Sequence, residues 1–272
     1  MKKLILFLFV VFALFCLVGC GDDDNSSSSS LTGVDFTSDN YFEKLDYYLA
    51  IVAEEEASGI LIFSKKEVTS AQLTINNTNI PIPEEWMYDE DDEEEFPYFI
   101  VVGQWILPES IIIQPGAVLN IKLKLNGTNF NNIMTVAHTP IVVEKEFDLT
   151  EDFTITWSLE KNPMAQIISL EGESNYWDED EDEDEDDDLY LVKQLAGEPR
   201  SHTFSENDYV QFALVGLEWY EYSVSAVNYK NFGKAMFMSL SADYVESGYD
   251  DVWKDGKNHK KLHRIVEVLA NK

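Results

Sequence analysis

Between Val118 and Leu125, apolar and polar residues alternate without a break. Leu119, Ile121, Leu123 and Leu125 fall on one side of an extended chain, and Asn120, Lys122 and Lys124 on the other. That period of two belongs to a β-strand with one buried face. Asn126-Gly127 comes next. This dipeptide tolerates the left-handed backbone that a two-residue hairpin turn requires. The same alternation recurs twice. Ala71, Leu73 and Ile75 alternate with Gln72, Thr74 and Asn76; Asn76-Asn77-Thr78-Asn79 then reads as a turn, and Ile80 and Ile82 resume the strand. Phe153, Ile155, Trp157 and Leu159 oppose Thr154, Thr156, Ser158 and Glu160. Apolar bursts at 47–52, 60–63, 96–107, 133–137 and 166–170 supply further strands. Gln114-Pro115-Gly116 marks another turn. Many short strands separated by turn signals predict a mainly β chain built of two β-sandwich domains.

Composition narrows the functions open to such a fold. The chain has 272 residues, 45% of them apolar, enough for two small cores. Its formal charge is −32, from 51 acidic and 19 basic residues. A chain so acidic repels nucleic acid and anionic lipid headgroups, so neither is expected as a partner. The simplest use of the charge is solubility.

The start of the chain has its own logic. Met1-Lys2-Lys3 is basic, and 4–18 is an apolar run. That run is short for a bilayer-spanning helix, which needs roughly 20 apolar residues. Leu17-Val18-Gly19-Cys20 closes it and resembles a lipobox, the processing signal of bacterial lipoproteins. The resemblance implies a cleaved signal peptide at 1–19, a diacylglyceryl group on Cys20 and acylation of the new amino terminus. Several acyl chains together anchor stably where one is marginal. Asp22-Asp23-Asp24 looks like the acidic tags that carry lipoproteins to the cell surface in some Gram-negative groups. This points to a cell-envelope protein at the outer membrane or cell surface. The polar stretch 20–30, with Ser26 to Ser30, is a flexible tether. Cys16 and Cys20 are the only cysteines. After processing, no thiol remains for a disulfide, a nucleophile or a thiolate metal site.

A second resemblance lies further on. Gly216 to Asn228 reads Gly-Leu-Glu-Trp-Tyr-Glu-Tyr-Ser-Val-Ser-Ala-Val-Asn, with Gly233 soon after. This resembles the late strands of a fibronectin type III module, in which Leu ends one strand and Tyr-x-Val-x-Ala-x-Asn follows. The resemblance implies that Leu217, Tyr222, Val224 and Ala226 are structural residues of the core and that Trp157 is the early-strand Trp. Tyr222 is the candidate for a corner hydroxyl bond, with Tyr220 as its rival. The family's Pro after the Leu is missing, and an acidic insertion interrupts the module. A related immunoglobulin-like sandwich reads much the same. The expected organisation is a sandwich over 31–145, a fibronectin-like sandwich over 146–245 and a basic tail over 246–272.

Catalytic signatures are sparse. No GxSxG, HExxH or cysteine nucleophile occurs after processing. His138 lacks a paired histidine and reads as an ordinary strand-end residue. Trp86 and Trp105 are core or rim residues, with sugar stacking as the alternative. Residues 89–95 and 178–188 are unbroken acidic runs, expected to be solvated loops. Asp178, Asp180 and Asp182 fit the first positions of an EF-hand calcium loop, but Glu183 stands where Gly is needed and Leu189 where Glu is needed. Diffuse cation uptake is the alternative to a solvated loop; no other metal site and no cofactor are expected. His259 and His263 share a face if the tail is helical, as the spacing of Leu262, Ile265, Val266 and Leu269 suggests. A strand there is the other reading. The tail carries an excess of Lys and Arg, and docking on an acidic loop is the expectation that follows. The chain thus reads as a non-enzymatic, membrane-anchored binding, adhesion or structural protein for an envelope protein or glycan. The alternatives are an envelope or polysaccharide hydrolase and a calcium-dependent adhesin.

Overall fold

The computed structural model describes residues 34, 36, 44–53, 58–82, 87–89, 98–174, 189–209 and 217–247. Fifteen strands are described. In order they are β1 (Tyr47–Val52), β2 (Gly59–Ser64), β3 (Ala71–Ile75), β4 (Thr78–Ile80), β5 (Met87–Asp89), β6 (Tyr98–Gly103), β7 (Val118–Leu125) and β8 (Thr128–Thr135). Then come β9 (Ile141–Val142), β10 (Phe153–Ser158), β11 (Ala165–Ser174), β12 (Leu189–Ala196), β13 (Ser201–Phe204), β14 (Leu217–Asn231) and β15 (Ala235–Ser247). The mainly β sandwich architecture expected from the alternation is what the chain adopts. Among the described residues no helix is long and apolar enough to cross a membrane.

One sheet organises everything. It has eight strands in the order β12-β11-β14-β15-β1-β2-β6-β5. A four-stranded sheet, β4-β3-β7-β8, completes one sandwich, and a three-stranded sheet, β13-β10-β9, completes the other. The hairpin of β14 and β15 runs through both sandwiches. Its tip, at Gly233 with φ +82°, reaches the first: Lys234 O accepts the N–H groups of Asp46 and Tyr47. β15 then pairs in parallel with β1, from Tyr47↔Ala235 to Val52↔Leu240. That ladder joins the two ends of the described chain. Residues 235–245, assigned from sequence to the second module, therefore also serve the first: Phe237 lies in the first core, and Val245 packs against the second.

The two cores differ in chemistry. The first is aliphatic, with Ile51, Ile62, Leu73, Ile75, Ile121, Leu123 and Leu125 among its members. The inward side of β7 is the one the alternation predicts, and its burial alternates accordingly. The hairpin turn is as expected, since Asn126 has φ +46° and Gly127 φ +84°. Asn76 and Asn77 also lie at positive φ, so the earlier turn is those two residues, and Thr78–Ile80 is already strand. β8 starts at Thr128, directly after its turn, and ends at Thr135. The expected strand over 133–137 is therefore only its last residues. The second core is aromatic, holding Phe147, Phe153, Trp157, Phe204, Tyr209 and Tyr222.

A third apolar cluster lies on the other face of the eight-stranded sheet. Tyr48, Ala50, Leu61, Phe63, Phe99, Ile167, Tyr229 and Met238 all belong to it. Strands buried on both faces read as unbroken apolar runs rather than alternating ones. β1 and β2, whose residues are buried almost throughout, are of that kind. Val34 and Phe36 join this cluster from the N-terminal side. The amide of Gln194 holds them: its Nε2 donates to Val34 O at 2.9 Å, and its Oε1 accepts Phe36 N–H at 2.6 Å.

Candidate functional site

The place where the two sandwiches meet is built on β15. Ser239, Ser241 and Asp243 alternate along it and point to the same side. Each takes hold of the connector that leaves β8. Ser239 Oγ donates to Thr135 O at 3.2 Å and accepts Ala137 N–H at 3.1 Å. Ser241 and Thr139 share a hydroxyl bond of 2.6 Å. Asp243 Oδ2 accepts Val142 N–H at 2.9 Å. This polar rail lies between the two cores. Buried hydroxyls that find backbone partners avoid the cost of burying an unpaired group, about 1–3 kcal/mol each.

Asn228 adds a brace from the neighbouring strand. Its Nδ2 donates to Thr135 O at 3.0 Å, and its Oδ1 accepts Met164 N–H at 3.1 Å. It ties the end of β8 to the loop between β10 and β11. Beside it a cleft of about 410 Å³ opens. One wall is the C-terminal part of β8, residues 132–135; the other is 161–164 with Asn228, Tyr229 and Lys230. The size is within the roughly 300–1,000 Å³ of small-ligand sites. Among the described residues its lining holds Lys161, Lys230 and His138 and no acidic residue. In a chain of net charge −32 that is a local reversal of sign. Ile133 and Met164 put apolar surface there, 69% and 45% exposed.

His138 is fixed at the base of this region. Its Nδ1 lies 3.1 Å from Glu160 Oε2. Its ring rests on Gly116, where a Cβ would come within 2.7 Å of Cε1. Gly116 has φ +78°, so the turn at Gln114-Pro115-Gly116 requires glycine for both backbone and space.

Of the structural residues expected from sequence, Trp157, Leu217, Tyr222 and Val224 come together in the second core, and Ala226 is buried outside that cluster. Trp157, Tyr222 and Val224 are buried there, and Leu217 packs against them. Trp157 Nε1 donates to Gln166 Oε1 at 2.6 Å, and Gln166 Nε2 donates on to Ala196 O and Pro199 O. Tyr222 Oη accepts Lys145 N–H at 2.5 Å and donates to Lys145 O at 2.9 Å. Tyr220 Oη accepts Phe147 N–H at 3.2 Å. Both tyrosines thus bond to the irregular segment between β9 and β10, and neither excludes the other. Burial is the main cause that raises the Tyr222 hydroxyl pKa; in Tyr209 the same cause pushes it up to about 12. Tyr209 donates to Glu151 O.

Other expected features fall outside the described residues: Leu17 to Cys20, Trp86, the side chain of Trp105, Asp178, Asp180 and Asp182 with the rest of their run, and the tail from 248 on with His259 and His263; the first two residues expected of that tail, 246 and 247, are the end of β15. Among the described residues, no group of three or more His, Cys, Asp or Glu side chains is placed to hold a metal. Sequence reasoning missed the rail, the Asn228 brace and the cleft. The one signal for the rail was Ser-x-Ser-x-Asp at strand period inside an otherwise apolar run.

No family model matches the chain, and no curated protein matches it. Solved structures do. A chain of a structure titled "Cytokine receptor complex – Crystal form 2" is similar at 13% identity over 74% of this chain and 99% of that one, with a TM-score of 0.30. A chain of "Cytokine receptor complex – Crystal form 1A" gives 11% identity over 75% of this chain and 98% of that one, with a TM-score of 0.28. The FN1–FN3 domains of chicken CNTN1 give 11% identity over 75% of this chain and 64% of that one, with a TM-score of 0.24.

Proposed function

We infer that the chain is a lipid-anchored protein of the bacterial cell envelope with a non-enzymatic binding or structural role. The observation that carries the binding role is the junction. One continuous sheet, the β15 rail and the Asn228 brace hold two sandwiches in fixed relation around an accessible cleft. Such a body presents surface to a protein or glycan partner without moving parts. The anchor rests on the lipobox-like Leu17 to Cys20 and the tether that follows it. The cell surface is the expected station, given Asp22-Asp23-Asp24.

Two measurements test this. Mass spectrometry of the mature N-terminal peptide should find Cys20 as the first residue, with a diacylglyceryl mass; an unmodified peptide running through Cys20 overturns the anchor. Immobilised full-length protein should retain an envelope protein or glycan saturably and release it unchanged. Cleaved or modified ligand in the eluate contradicts a non-enzymatic role.

A further inference from the structure

The cleft wall formed by β8 is an open sheet edge. β8 ends the order β4-β3-β7-β8 and, among the described residues, pairs only with β7. The hairpin closes on Leu125↔Thr128 through a two-residue turn with both residues at positive φ. In such a hairpin the closing pair exchanges hydrogen bonds, and bonded and non-bonded pairs then alternate. Asn129, Asn131, Ile133 and Thr135 therefore turn their N–H and C=O groups away from β7. Thr135 shows this directly: its carbonyl is met from outside by Asn228 Nδ2 and Ser239 Oγ. One strand step earlier, the outward groups of Ile133 border the cleft, and among the described residues nothing bonds to them. Lys161 and Lys230 stand on the opposite wall, exposed and, among the described residues, in no ion pair.

We propose that the open edge of β8 takes an extended acidic peptide of a partner protein as an added strand. This rests on the binding reading above and gives it a site and a partner chemistry. Main-chain bonds to Asn131 and Ile133 supply the strand pairing. Lys161 and Lys230 take carboxylates of the peptide, and Ile133 and Met164 cover its apolar side chains. Natural sheet edges are guarded by charge, bulges or cover. Here the guards are lysines, which repel a cationic strand and admit an anionic one. A carboxylated glycan could satisfy the lysines but has no use for an unpaired strand edge, so the peptide is the better fit.

The probe is a fluorescent acetyl-capped hexapeptide alternating Glu and Val, titrated by anisotropy into the full chain in detergent. Binding should be saturable and at least tenfold weaker for the Lys-Val counterpart. Ile133→Pro removes an outward N–H while leaving the β7 ladder intact, a substitution edge strands tolerate. It should weaken the peptide at least tenfold, as should Lys161→Glu with Lys230→Glu. N-methylation of alternate peptide amides should do the same in one of its two registers and not the other, a readout independent of how any variant folds. Binding indifferent to both Ile133→Pro and N-methylation overturns strand addition. Absence of binding overturns the site, as does equal competition by a galacturonate hexamer. An envelope ligand retained undiminished by Ile133→Pro leaves the scaffold reading standing and removes this site alone.

Discussion

The two cores share a sheet yet are stabilised differently. The first is mostly Ile, Leu and Val, with Met134 and Phe237, side chains that carry no polar tip and ask only for matched volume. The second is built of aromatic residues whose polar tips are tied to backbone: Trp157 through Gln166, Tyr222 to Lys145, Tyr220 to Phe147 and Tyr209 to Glu151. Its stability thus depends on hydrogen bonds as well as volume. Among the described residues the second sandwich has a three-stranded cover sheet, with two of its strands pairing short stretches of β10. Its buried aromatic hydroxyls and indole N–H need partners, and these bonds supply them.

The largest expected effect is on the aromatic side. Trp157→Ala should cost about 3–5 kcal/mol in urea unfolding, since it removes a buried ring and leaves Gln166 facing a void. A cost below about 1 kcal/mol would put the ring outside the core. Next comes a matched pair. Tyr222→Phe deletes one oxygen and should cost about 1–3 kcal/mol, because two part-buried hydrogen bonds to the Lys145 backbone, each worth about 0.5–1.5 kcal/mol, are lost. Ile121→Val deletes a methylene from the first core and should cost about 0.5–1.5 kcal/mol. If the hydroxyl costs less than the methylene, the contrast between the cores is wrong.

A further difference is a pH dependence in the second core. Burial pushes the Tyr209 hydroxyl up to about 12 from an ordinary value near 10. A folded pKa above the unfolded one means the stabilisation is fully present below pH 10 and is lost as pH rises towards 12. The denaturation midpoint of Tyr209→Phe should therefore fall less steeply over that window than that of the parent. Parallel curves would show that Tyr209 is not the group responsible.

How much of this was legible in the sequence depends on distance along the chain. β7 and its turn, β10 and the inward facing of Trp157 and Tyr222 all follow from a window of ten residues, because strand alternation and turn chemistry are local. β8 was half missed: its asparagines hide the alternation, and its outer side faces the cleft and solvent rather than a core. The parallel pairing of β1 with β15 left no local trace at all, since register between distant strands is set by packing rather than propensity. The rail shows the same limit. Ser239, Ser241 and Asp243 look like the wet side of a half-exposed strand until the connector is laid across them. The cleft could not be read either, because its walls come from β8, the β10–β11 loop and β14.

The central claim is that the shared sheet makes two sandwiches one cooperative body. Differential scanning calorimetry of the full chain in detergent tests it most directly. A single transition, with equal calorimetric and van't Hoff enthalpies, is the predicted result. Two resolved transitions, one moved by Tyr222→Phe and the other by Ile121→Val, would contradict it.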